Sequence, residues 1–275
     1  VSLPTQFIEV YNGSDDALKD IITVFVDKGT HVLSYQPSYT QVNTFITTNT
    51  DKYMKINILD PLGEHEYEFD YCKIADVVYL VNPNNPTGKL LEVDKIEELV
   101  KTYPDVLFIV DEAYYEFAKK SCCHLVVSHK NLIVTRTFSK AFGLASVRLG
   151  YCIAHPDTLS HVRKIRNGKA VNTLAQLCGI AALDDLEYLD SRIDEMNDAK
   201  KFFIDNLPHQ YHAVESHTNF VLLKTPDSEK LLDRMKDNKI LIRDRSSFDN
   251  LQNCVRITIG SKKQIIRVLD VINYA

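Results

Sequence analysis

Along the first half of the chain, short apolar runs alternate with segments whose apolar residues recur at helical spacing, the order expected of a mostly parallel sheet covered by helices. Phe7 to Val10 is the first strand candidate. The turn Tyr11-Asn12-Gly13-Ser14 follows, and Leu18, Ile21, Ile22, Phe25 and Val26 then mark a helix for which Ser14 is the expected N-cap. His31 to Tyr35, Val77 to Val81, Val106 to Val110, Leu132 to Thr135 and Leu149 to Ala154 supply further strands, with Val93, Ile96, Leu99 and Val100 on a helix face between them. From about Ala170 the texture changes. Asp184 to Lys201 is charged and free of Gly and Pro, which predicts a long connecting helix; strands at Asn219 to Leu223, Ile240 to Ile242 and Val255 to Ile259 then interleave with helices near Ser228 to Lys236 and Lys262 to Ile272. The pattern predicts an α/β protein: a three-layer α/β/α domain with a mostly parallel sheet in residues 1–170, then a connecting helix and a smaller C-terminal α/β domain in 171–275.

Composition narrows the partners. Of 275 residues 45% are hydrophobic and 25% charged, with 32 Lys+Arg against 37 Asp+Glu and a formal charge of -5. That is the balance of a soluble globular chain with no broad basic face, so neither nucleic acid nor a membrane is the expected partner, and any anion must be met by a local site. No apolar stretch approaches the roughly 18 residues of a membrane span, and the N-terminus lacks a basic region followed by an apolar one. The six cysteines are scattered without CxxC spacing and read as reduced packing residues, so a cytoplasmic location is expected. The nine histidines show no ligand-like clustering, and no metal is expected.

Four segments fall where strands end, the edge at which open α/β sheets bind ligands. Gly13-Ser14-Asp15-Asp16 forms a strand-to-helix turn whose free amides suit an anion, although an ordinary capped helix has the same pattern. Asn82-Pro83-Asn84-Asn85-Pro86-Thr87-Gly88 aims two amides rigidly from a turn. Ile109-Val110-Asp111-Glu112-Ala113-Tyr114 leads an apolar strand into a carboxylate that either caps the next segment or holds a proton on a buried cationic heterocycle, with Tyr114 reaching the same ring. Thr135 to Leu144 sets Lys140 among small and apolar residues, with Thr137, Ser139 and Arg148 of phosphate-binding type around it. Such a lysine either snorkels to water or is kept reactive by a depressed pKa. An amine beside a phosphate cup is what an aldehyde-bearing phosphorylated cofactor requires.

The ordered set Asn85-Pro86-Thr87-Gly88, Asp111 with Tyr114, and Ser139-Lys140 with Arg148 resembles the fold-type I pyridoxal-phosphate aminotransferases of class I/II. The run Arg136 to Gly150, Ile242-Arg243-Asp244 and Val255 to Gly260 resemble histidinol-phosphate aminotransferases in particular, and the likeness extends over essentially the whole chain. The resemblance implies that Lys140 forms the Schiff base with pyridoxal 5'-phosphate, that Asp111 keeps the ring nitrogen protonated, and that Asn85 and Tyr114 hold the phenolic oxygen. Tyr39 would stack on the ring, while the amides around Ser14 and Asp15, with Thr137, Ser139 and Arg148, would take the phosphate. Arg256 resembles the substrate-carboxylate fork, Arg243 its companion for a substrate phosphate, and Asn172 a retained pocket asparagine.

Implied with these are an amino donor such as histidinol phosphate, a 2-oxo acid acceptor such as 2-oxoglutarate, ping-pong kinetics and a homodimer. Aromatic or other amino-acid aminotransferases and amino-acid phosphate decarboxylases share the frame. The chain is expected to lack the N-terminal arm and first helix usual in the family, because Val1 begins just before the phosphate-cup strand; a non-catalytic truncated homologue acting as a binding or assembly partner is therefore the rival of another class. In Lys164 to Asn172 the chain departs from the family, which usually carries a proline and an aromatic before the asparagine; the flanking Arg166 and Lys169 are either solvated charges or part of the pocket entrance.

Overall fold

The computed structural model describes residues 3–273. Its elements are β1 (Ile8–Tyr11), α1 (Ser14–Phe25), β2 (Val32–Gln36), α2 (Gln41–Asn49), β3 (Tyr53–Asn57), β4 (Val77–Val81), α3 (Val93–Thr102), β5 (Leu107–Asp111), α4 (Tyr115–Ala118), β6 (Leu132–Thr137) and β7 (Gly150–Ala154). There follow α5 (Pro156–Val162), α6 (Thr173–Asp184), α7 (Leu186–Asp205), β8 (His212–Ala213), β9 (Phe220–Lys224), α8 (Ser228–Asp237), β10 (Arg243–Asp244), β11 (Cys254–Thr258) and α9 (Lys262–Asn273).

A seven-stranded sheet has the order β1-β7-β6-β5-β4-β2-β3, and a four-stranded sheet the order β10-β11-β9-β8. From β6 to β3 every pairing in the larger sheet is parallel; β7 alone runs against its neighbours β6 and β1. The inner strands bury both faces, which is why they are apolar without a break. On one face Val78, Leu80, Phe108, Val110 and Val134 pack against Ile96, Leu99 and Val100 of α3. On the other, Val77, Tyr79, Ile109 and Ile133 meet Leu18, Ile21 and Ile22 of α1 and Val42 and Ile46 of α2. Each fully buried Leu or Ile of α1 contributes roughly 1.5–3 kcal/mol, so this face fixes where the N-terminus of α1 points.

The mostly parallel α/β architecture stands, and several local expectations need correction. Ser14 is the first helical residue and not the cap: Gly13, at φ 91°, holds the N-cap position. The long helix expected from Asp184 to Lys201 is present as α7, but it begins at Leu186: Asp184 ends α6, and Asp185 caps α7, its side chain accepting from Tyr188 N. Ile240 to Ile242 is not a strand. Its isoleucines pack into the core of the smaller sheet while Leu241 is 88% exposed, and β10 begins one residue later. Elements α2, β3 and β8 were not anticipated. Among the described residues no helix is long and apolar enough to cross a membrane.

Candidate active site

Register places the site. Val81 lies opposite Asp111, and Asp111 opposite Thr135, so β4, β5 and β6 end side by side and deliver three loops to one edge. Across the sheet Tyr11 pairs with Gly150, which sets the start of α1 beside the turn that carries Arg148. The result is a cleft of about 160 Å³ lined by Ser14, Asp15, Tyr39, Asn85, Asp111, Tyr114, Thr137, Ser139, Lys140 and Arg148, with Val81, Ala113 and Ala145 filling its walls. The ten polar residues come from five separate stretches of sequence, and the structure brings all of them together.

One end of the cleft is a buried carboxylate. Asp111 is 3% exposed; the hydroxyls of Tyr79 (3.0 Å) and Thr135 (3.1 Å) and the amide of Ala113 (3.2 Å) donate to it. Burial pushes its pKa up to about 6, although these bonds pull the other way. The opposite end is a donor cup. Thr137 Oγ1 lies 2.9 Å from Ser139 Oγ, Arg148 Nη1 donates to Ser139 Oγ at 3.4 Å, and α1 points its N-terminal amides and the positive end of its dipole the same way. Gly13 makes this possible, since its φ of +91° is one that residues with a β-carbon rarely adopt, and a β-carbon there would displace the Arg148 guanidinium.

Between the two ends lies Lys140, open to the cleft, its Nζ 5.5 Å from the centre of the Tyr114 ring. Burial of the amine, and next the charge of Arg256, hold its pKa below the usual lysine range. Tyr39 donates to Asp15 Oδ1 at 2.9 Å, and Tyr114 stands edge-on to Phe220 at 5.2 Å, its hydroxyl pushed up to about 12 by burial. Arg256 reaches in from the smaller sheet and donates to Asn85 Oδ1 at 2.8 Å. Arg243 is its register partner on β10 and is exposed.

The structure does not bring Asn172 to the cleft. It is exposed and caps α6, its Oδ1 accepting from Ala175 N at 2.9 Å. Arg166 is tied to Glu9 (3.0 Å) and to the carbonyl of Val10 (2.9 Å), along the edge strand. Conversely, Tyr79 and Thr135 had drawn no notice although both hold Asp111. Their signal was parity, since each points to the sheet face of the carboxylate one strand away.

A parallel sheet whose strand ends gather an amine, a buried carboxylate and an anion cup defines a protein that handles a phosphorylated carbonyl ligand. Residues 3–272 match the aminotransferase class I and II family, and the chain belongs to that family of pyridoxal-phosphate-dependent transaminases. A dihydroxyacetone phosphate transaminase of Campylobacter jejuni is 38% identical over 280 residues, which cover 97% of this chain and 74% of that protein. A histidinol-phosphate aminotransferase of Geotalea daltonii is 33% identical over 271 residues, 97% of this chain and 76% of that one. The histidinol-phosphate aminotransferase of Sinorhizobium meliloti in complex with pyridoxal-5'-phosphate has the same fold, with a TM-score of 0.86 and 26% identity over 98% of this chain and 77% of that one.

Proposed function

We propose that the protein moves an amino group between a phosphorylated amino alcohol, or the matching phosphorylated ketone, and a 2-oxo acid such as 2-oxoglutarate. The observation that carries this reading is the meeting of the Lys140 amine, the Asp111 carboxylate and the Ser139–Arg148 cup in one cleft. Histidinol phosphate and dihydroxyacetone phosphate, named for the two relatives, both carry a phosphate monoester and are the first candidates.

The donor set fits pyridoxal phosphate. Thr137, Ser139, Arg148 and the amides of Ser14 and Asp15 would hold its phosphate, Asp111 its ring nitrogen, Asn85 and Tyr114 its phenolic oxygen, Tyr39 its ring face and Lys140 its aldehyde carbon. Bound there, the cofactor supplies a carbonyl to carry the amino group and a protonated ring that draws electrons from the substrate carbon. Asp111 keeps that ring proton in place, and a cationic N–H beside it offsets the cost of its burial. Lys140, with its amine free, would take up and hand back the proton of the substrate carbon; its lowered pKa leaves more of it as free base near neutrality. Arg256 binds the acceptor's carboxylate as a planar fork, and Arg243 joins it for a phosphate. The reading includes a homodimer, as is typical of the family.

The test is turnover by the cofactor-loaded protein. Histidinol phosphate with 2-oxoglutarate, or glutamate with dihydroxyacetone phosphate, should react, and wild type should show a visible absorption band that borohydride bleaches and Lys140→Ala lacks. Turnover of phenylalanine with both phosphate esters inert overturns the substrate class. Identical spectra for wild type and Lys140→Ala overturn the enzyme reading and leave a non-catalytic homologue.

A further inference from the structure

The smaller sheet presents a group of arginines that no carboxylate contacts as an ion pair among the described residues. Arg243 and Arg256 are opposite one another across β10 and β11, and the ladder runs on through Arg245 N, which donates to the carbonyl of Cys254 at 2.9 Å. Side chains alternate along a strand, so Arg245 returns to the face of Arg243 and Arg256 while Asp244 points to the other. Asp244 is occupied locally, its Oδ1 accepting from Ser246 N at 2.8 Å. Elsewhere Arg136, Arg148, Arg163, Arg166 and Arg192 each stand within ion-pair distance of a carboxylate; among the described residues Arg243, Arg245 and Arg256 have none, nor have Arg234 and Arg267, which instead donate singly to Tyr211 Oη and to the carbonyl of Asn238.

Two further observations show that the group is built around something. Nε of Arg245 and Nε of Arg256 are both shielded from solvent and have no hydrogen-bond partner, a cost that folded proteins rarely leave unmet; Arg234 Nε on α8 shares that state, but it stands outside the register of β10 and β11. The guanidiniums also oppose one another. Burial first, then the charges of Arg256 and Arg243, hold Arg245 below the ordinary arginine range, and its charge is felt at the Tyr114 hydroxyl, the wall of the cleft. A carboxylate matches one guanidinium. A phosphate monoester brings two negative charges and three acceptor oxygens, enough for several N–H donors at once.

We propose that Arg245 is a substrate-specificity residue, which joins Arg256 and Arg243 in holding a phosphate monoester dianion at the far end of the substrate and sets the preference for phosphate over carboxylate. This rests on the aminotransferase reading above and names the tail its substrate carries.

Inorganic phosphate titrated into the holoenzyme by calorimetry isolates this site, because the cofactor's own phosphate fills the other cup. Arg245→Gln should raise the phosphate Kd roughly ten- to hundred-fold, the cost of charge-assisted bonds, and leave the cofactor band and the KM for glutamate within about twofold. With a phosphate ester as substrate, KM should rise by a similar factor and kcat change little. Arg245→Lys should fall between, since it keeps the charge and loses the fork. Equal phosphate Kd in wild type and Arg245→Gln overturns the proposal, as does a wild-type holoenzyme that takes up no phosphate, or a glutamate KM that rises by the same factor. If Arg245→Gln does not fold, Arg245→Lys decides on the same comparisons. Wild type that turns over no phosphate ester sinks the substrate class above, while the phosphate Kd comparison still judges Arg245 by itself.

Discussion

Asp111 carries its chemistry in its burial. Its folded pKa of about 6 exceeds the ordinary 3.8, so between these values the native apoprotein binds more protons than the unfolded chain. Stability from this group is therefore full at about pH 4 and lost as pH rises through 6, an effect of order 1–3 kcal/mol. Thermal melts of the apoprotein from pH 4 to 8 should show this decline, and Asp111→Asn should flatten its lower part. Glu116, pushed up to about 7 by burial, acts in the same direction, and Glu116→Gln should flatten the upper part. In the loaded protein, Lys140→Ala should lower kcat by at least roughly 10²–10⁴-fold, the range for loss of a positioned acid–base group. Lys140 and Asp111 were legible in the sequence because a charge at the end of an apolar strand is out of place unless used. Arg245 was not, because only the pairing of β10 with β11 puts it, together with Arg243, on the face of Arg256.

Among the elements, β7 and the start of α1 approach closely. A β-carbon at Gly150 would strike the backbone of Ser14 and Gly13, which cannot swing aside as a side chain would. Gly150→Ala should cost about 1–3 kcal/mol of stability, as overpacking does, and weaken cofactor binding in titrations of the apoprotein. Gly143→Ala meets no atom within 4 Å, so only its φ of +68° counts, and the loss should be nearer about 1 kcal/mol with cofactor affinity little changed. Chemical denaturation of the two variants separates the effects. Elements were readable where both faces are buried: β4 begins and ends at the residues its apolar run marks. They were hidden where strand and loop use similar residues. Tyr-Met-Lys-Ile-Asn of β3 is only partly buried at the sheet's edge, and the apolar Ile240 and Ile242 are there to fill a core without joining a ladder.

For the molecule as a whole, the parallel sheet could be inferred, but the meeting of the two sheets could not, because it depends on polar contacts between residues remote in sequence. Arg256 holds Asn85, and His217 N donates to the carbonyl of Gly88 at 2.8 Å. Leu174, Leu177, Ile180 and Leu183, each more than half exposed, wind around the outer side of α6. Apolar surface of that extent is costly on a lone subunit, and the proposed homodimer would cover it. Sedimentation equilibrium should give a dimer for wild type and a shift toward monomer for Leu177→Glu, with the circular dichroism spectrum unchanged.

The arginine hairpin of β10 and β11 and the loops that end β4, β5 and β6 belong to different sheets. Within the hairpin Arg256 is bonded to Asn85 and its charge acts on Lys140, so it is exchanges at Arg243 and Arg245, which among the described residues share no hydrogen bond with the cleft, that can change which molecules are accepted while the machinery that acts on them stays in place. One lineage could acquire new nutrients or metabolites through a few exchanges near position 245, while the vitamin-derived catalyst kept an unaltered seat.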